Sequence, residues 1–91
     1  MTLKDFYLSA FLVSQGWSCK GLTKIKENLT LFEFDDNDEI THLVGAYYSN
    51  KALVDPLIYG ATMRQLKDVM HNINTSNHLN NYVNNKQSLK K

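Results

Sequence analysis

Apolar residues at the start of the chain repeat with a helical period. Leu3, Phe6, Tyr7, Ala10 and Phe11 stand at i, i+3, i+4, i+7 and i+8, the spacing that gathers side chains on one helix face. Thr2 lies three residues before Asp5, close to a capping box, and Gly16 stands where a helix ends in a left-handed residue. The pattern predicts a helix from about Leu3 to Gln15. Leu8, Leu12 and Val13 widen its apolar face, so it is expected to be covered on more than one side.

After Gly16 the period falls to two. In "WSCKGLTKI" Trp17, Cys19 and Gly21 alternate with Ser18, Lys20 and Leu22, and in "LTLFEF" Phe32 and Phe34 share a face with Thr30. Two short strands joined through "KIKEN" predict an antiparallel hairpin with a charged tip at Lys24, Lys26, Glu27 and Asn28. Leu29 and Leu31 make the opposite face partly apolar, so periodicity leaves the register open. A two-stranded hairpin is marginal alone, which places Phe32 and Phe34 against the first and last helices.

The acidic run "DDNDE" precedes Ile40, Leu43, Val44, Tyr47 and Tyr48, again at helical spacing. An Asp or Asn of that run caps the helix, and the other carboxylates favour its positive end. A calcium loop would need glycine at its sixth position and glutamate at its twelfth; counted from Asp35 these are Ile40 and Ala46. The helix is expected to end near Ser49 and Asn50, since Asn tolerates a left-handed backbone. Asp55-Pro56 then opens another, with Asp as N-cap and Pro at the first helical position. Ala52, Leu53 and Val54 are too apolar for a free loop and are expected to pack. A last helix from Pro56 to about Ile73 carries Tyr59, Met63, Leu66, Met70 and Ile73 as a core stripe.

The predicted fold is thus α+β: a helix, a two-stranded antiparallel hairpin, two further helices and a flexible C-terminal tail. The domain is placed at residues 1–74. Residues 75–91, rich in Asn and carrying Lys86, Lys90 and Lys91, hold too little apolar surface to offset the entropy of ordering them. Leu79, Tyr82 and Val83, at i, i+3 and i+4, offer the alternative of a short docking helix.

Composition adds bounds. The chain of 91 residues, 43% hydrophobic, makes one domain. At this size only roughly 60–65% of the unfolded surface is buried, which leaves little core to support a deep catalytic cavity. The one cysteine, Cys19, has no partner for an internal disulfide, and the first residues lack the charged start and apolar middle of a signal peptide. A cytoplasmic protein without a membrane contact is expected. The formal charge of +1 is unevenly spread, with an acidic middle and more basic flanks.

Catalytic motifs are missing: there is no glycine-rich phosphate loop, no nucleophile elbow and no His-Glu-x-x-His. Cys19, His42, His71 and His78 have no close pair of zinc spacing, and Cys19 reads better as a small strand residue than as a nucleophile. The expectation is no enzyme, no metal and no cofactor.

"DFYLSAFLVSQGWSCKGL", "LTLFEFDD" and "YYSNKALVDPLIYGATMRQLKDVM" together are similar to a family of short domains of unknown function from bacteria, phages and mobile elements. Its marks are a Tyr-Leu-Ala-like helix ending in Gly, a Phe-x-Phe strand followed by acidic residues, a Tyr-rich helix end and a Val-Asp-Pro helix with an Arg-x-x-Lys pair. The resemblance covers about Phe6 to Met70 and brings no catalytic or ligand residues with it. By itself the resemblance implies almost nothing about activity; the family setting together with the missing catalytic motifs leads to the expectation of a small non-enzymatic binding protein of a phage or mobile element, a DNA-associated replication or regulatory accessory. The alternative is an adaptor or inhibitor acting on a host protein, with a homodimer also possible.

The residues offer a surface for each. Lys20, Lys24, Lys26, Lys51, Arg64 and Lys67 would make a basic face for DNA, with Tyr47, Tyr48 or Trp17 available for stacking. Tyr48, Tyr59 and the exposed part of "KALV" would anchor a protein interface. Stacking requires the tyrosines on the same face as the lysines, and that requirement separates the two.

Overall fold

The computed structural model describes residues 1–75. Six elements follow one another: β1 (Thr2–Leu3), α1 (Phe6–Ser14), β2 (Gly21–Lys26), β3 (Leu29–Glu33), α2 (Asp38–Tyr48) and α3 (Pro56–Thr75). The architecture is α+β, as the pattern predicts, but the sheet has three antiparallel strands in the order β1-β3-β2 rather than two.

The additional strand corrects the reading of the first residues. Thr2 and Leu3 pair with Glu33 and Phe32 on the free edge of β3, and the Met1 ammonium and carbonyl extend the ladder to Phe34. The helix therefore begins at Phe6. Its N-cap is Asp5, whose Oδ1 accepts from the Leu8 N–H at 3.1 Å, in place of the Thr2 capping box expected from spacing. Leu3 fits the helical period but leaves it for a sheet edge that has open hydrogen-bonding positions.

Five consecutive residues of α1, Leu8 to Leu12, are buried, which answers the expectation of a helix covered on several sides. Ser9 is among them, and its hydroxyl donates to the Asp5 carbonyl at 2.9 Å. Gly16 ends this segment at φ 101°, where a Cβ would be strained.

The first hairpin strand also starts later than expected, at Gly21. Trp17 to Lys20 form an irregular lead-in, joined to the sheet by the Lys20 N–H on the Glu33 carbonyl at 2.7 Å. The register pairs Leu22 with Phe32 and shifts between Lys24 and Lys26. Phe32 and Phe34 are buried and join Leu8, Phe11, Leu12 and Ile40 in the core. Glu33 between them is exposed.

Asn37 caps α2, accepting from the Ile40 N–H at 2.8 Å, with Asp38 and Glu39 in the first turn. α3 packs chiefly on α1 and runs two residues past the expected end at Ile73. The Asn-rich tail, its lysines and the Leu79, Tyr82, Val83 alternative lie outside the described residues. No helix among the described residues is long and apolar enough to cross a membrane.

Candidate partner-binding surface

The joint between α2 and α3 is built as its residue types require. Ser49 Oγ donates to the Gly45 carbonyl at 2.8 Å, and the Lys51 N–H reaches the Ala46 carbonyl at 2.8 Å across Asn50, which takes the left-handed conformation at φ 63°. Five residues on, Asp55 Oδ1 accepts from Leu57 N at 2.8 Å and Ile58 N at 3.3 Å, so the expected cap and Pro56 start are in place. Ala52 and Val54 pack on the core. Leu53 does not, contrary to expectation: it is 87% exposed, while its carbonyl accepts from Gln15 Nε2 at 3.3 Å.

Beside the joint lies a hollow of about 550 Å³ lined by Phe11, Tyr47, Tyr48, Asn50, Ala52, Val54 and Tyr59. Its aromatic walls are braced from below and from the sides. Tyr47 leans on Phe11 with ring centroids 5.7 Å apart and meets Tyr48 edge-on at 5.3 Å. The Tyr59 hydroxyl donates to the Tyr7 carbonyl at 3.0 Å, and the Tyr48 hydroxyl donates to Asp5 Oδ2 at 2.9 Å. Burial, followed by the neighbouring Tyr47, pushes the Tyr59 hydroxyl up to about 12. The bond to Asp5 raises that of Tyr48. Both phenols stay protonated donors at neutral pH.

The expected site residues are divided between two hollows and the open surface. Tyr48 and Tyr59 line the hollow, and Lys51 stands exposed between two lining residues, Asn50 and Ala52. Lys24 belongs elsewhere. It lines a cavity of about 180 Å³ with Lys4, Phe6, Phe32 and Met70, and Lys67 Nζ sits 5.8 Å from the Phe6 ring centroid. Arg64 reaches back toward Gly60, where an added Cβ would stand 3.8 Å from its Nη1. Lys26 is exposed at the bulge beside the hairpin tip. Among the described residues no lysine or arginine lines the tyrosine hollow.

Sequence reasoning missed Lys4 and Phe6 as lining residues beside Lys24, and Phe6 as the ring under Lys67. The spacing puts Phe6 in the helical core stripe, and its sharing a cavity with a strand lysine depends on how the sheet packs on α1. Cys19 is half-buried, donates to the Gly21 carbonyl at 3.3 Å, and burial raises its pKa, so its thiol is poorly suited to act as a nucleophile. Among the described residues no three His, Cys, Asp or Glu side chains gather to hold a metal ion.

Comparison with curated proteins and with solved structures gave no match. A family model does match, over residues 1–72, and so takes in all three strands, the joint and nearly all of α3. The chain belongs to that family, the domain of unknown function DUF5659.

Proposed function

We propose that this chain is a small non-enzymatic binding module whose partner is a protein, contacted at the tyrosine hollow and the joint beside it. The observation that carries this reading is the apolar surface left open there. Leu53 is 87% exposed, Leu57 82%, Tyr48 62% and Ile58 52%, all within the joint and the turns that flank it. Isolated exposed apolar residues are ordinary; several in one short segment beside an aromatic hollow have the composition of an interface centre. The setting proposed is the cytoplasm of a cell carrying a phage or mobile element, where the module would modulate a host protein.

DNA binding is the second reading. Lys67 stands over the Phe6 ring and Lys24 lines a cavity with Phe6, which favours a polyanion contact there, but the tyrosines named for stacking stand around a hollow with no basic lining residue among the described residues.

A photo-crosslinking residue placed at Leu57, and separately at the exposed Thr23 of the edge strand β2, tests the choice in the native cell. The expected result is one defined protein adduct from position 57 and none from position 23. Adducts to nucleic acid alone, or no difference between the positions, would overturn the reading.

A further inference from the structure

A second concavity, of about 500 Å³, lies where the lead-in to the sheet meets the start of α2 and shares no lining residue with the tyrosine hollow. The half-buried Trp17 and Leu43 give it apolar walls, and Asp38, Glu39 and His42 complete the lining. The acidic run around it divides into two kinds of carboxylate. Asp35 pairs with Lys20 at 3.2 Å and Asp36 with the Met1 ammonium at 2.9 Å. Asp38 and Glu39, the two that line the cavity, form no ion pair among the described residues.

We infer that this cavity takes an arginine or lysine side chain of a partner protein. Its aliphatic stem would lie on Leu43 and the indole, and its cationic head would meet the indole face and the Asp38 and Glu39 carboxylates. Tryptophan is the strongest aromatic partner for a cation, and a carboxylate beside it adds charge-assisted hydrogen bonds. The chain's own Lys20, three residues from Trp17, is held by Asp35. The helix dipole accounts for carboxylates in the first turn of α2, but it gives no reason for an open apolar cavity between them and an indole. The inference stands independently of the tyrosine hollow and holds or fails without it.

Trp17 is the single tryptophan of the chain, so its emission reports this cavity alone. The probe is an acetylated and amidated peptide alternating arginine with leucine, compared with a counterpart in which citrulline replaces each arginine. The arginine peptide is expected to shift Trp17 emission saturably, with the citrulline peptide about tenfold weaker. The variant Asp38→Asn with Glu39→Gln, checked for folding by circular dichroism, should lose the preference between the peptides. His42→Lys, which keeps both carboxylates but adds a like charge at the rim, should weaken the arginine peptide alone. Equal binding of the two peptides, no saturable change up to millimolar peptide, or an undiminished preference in the folded double variant would overturn the inference.

Discussion

The carboxylate of Asp5 serves two helices at once: Oδ1 caps α1 through the Leu8 N–H, and Oδ2 receives the Tyr48 hydroxyl from the last turn of α2 at 2.9 Å. Tyr48 is therefore both exposed and anchored, and removing its ring disturbs more than a contact surface. Asp5→Ala is expected to cost about 0.5–2 kcal/mol through the lost cap. Tyr48→Phe, which keeps the ring, should cost well under about 1 kcal/mol because the bond it removes faces water. Urea denaturation of both single variants and the double variant checks this: the Tyr48→Phe effect should vanish once Asp5 is gone.

Phe32 is the centre of the fold, 1% exposed, on the middle strand between Leu3 and Leu22. Phe32→Ala should cost about 3–5 kcal/mol, a large part of the stability of a domain this size. A melting temperature within a few degrees of the parent would remove Phe32 from that role.

Asn50 offers a test of the joint itself. At φ 63° an alanine is strained and a glycine is not. Asn50→Ala should lower stability by about 1–2 kcal/mol, whereas Asn50→Gly should be near neutral. Thermal melts that rank the two variants alike would contradict the observed backbone.

Tyr59 predicts a loss of stability in alkali. Its hydroxyl titrates near the ordinary 10 when unfolded and at about 12 when folded, chiefly because of burial. The folded state thus holds the proton more tightly. Its contribution is complete below pH 10 and is lost as pH rises from there through about 12. Tyr59→Phe should make the decline over that window shallower than in the parent, as read by denaturant titrations at a series of alkaline pH values.

Much of the fold was legible because short-range chemistry decided it. Gly16 and Asn50 end helices by backbone preference, Asp55 begins one through its side-chain cap with Pro56 at the first helical position, and all act as their residue types require. Period put Phe32 and Phe34 on one face, but Leu29 and Leu31 left open which face is buried, and packing against the helices decides it. β1 was not legible, because two residues carry no period and Leu3 also fitted the helix; its pairing depends on the free edge of β3. The late start of β2 has a related cause. Trp17 and Cys19 alternate like strand residues, yet regular pairing opposite Glu33 begins at Gly21. At the candidate surface, Tyr48 was readable as a residue at a helix end able to face solvent, whereas Tyr59, which stands in the core stripe by spacing, is half-buried and lines the hollow. That Lys24 lines a cavity with Phe6, and that Lys67 stands over the same ring, was not legible, since it depends on how the sheet and α3 pack around α1.

The claim that a protein partner is bound at the joint is tested most directly by the affinity of the adduct partner for two charge variants of equal stability. Leu57→Lys alters an 82% exposed side chain in the first turn of α3, and Lys67→Glu reverses a charge at Phe6. The account predicts that Leu57→Lys weakens the complex by about tenfold or more, as expected for an apolar anchor, and that Lys67→Glu leaves it within about twofold. The reverse order, with Leu57→Lys silent and Lys67→Glu disruptive, would contradict it and place the contact on the lysines around Phe6.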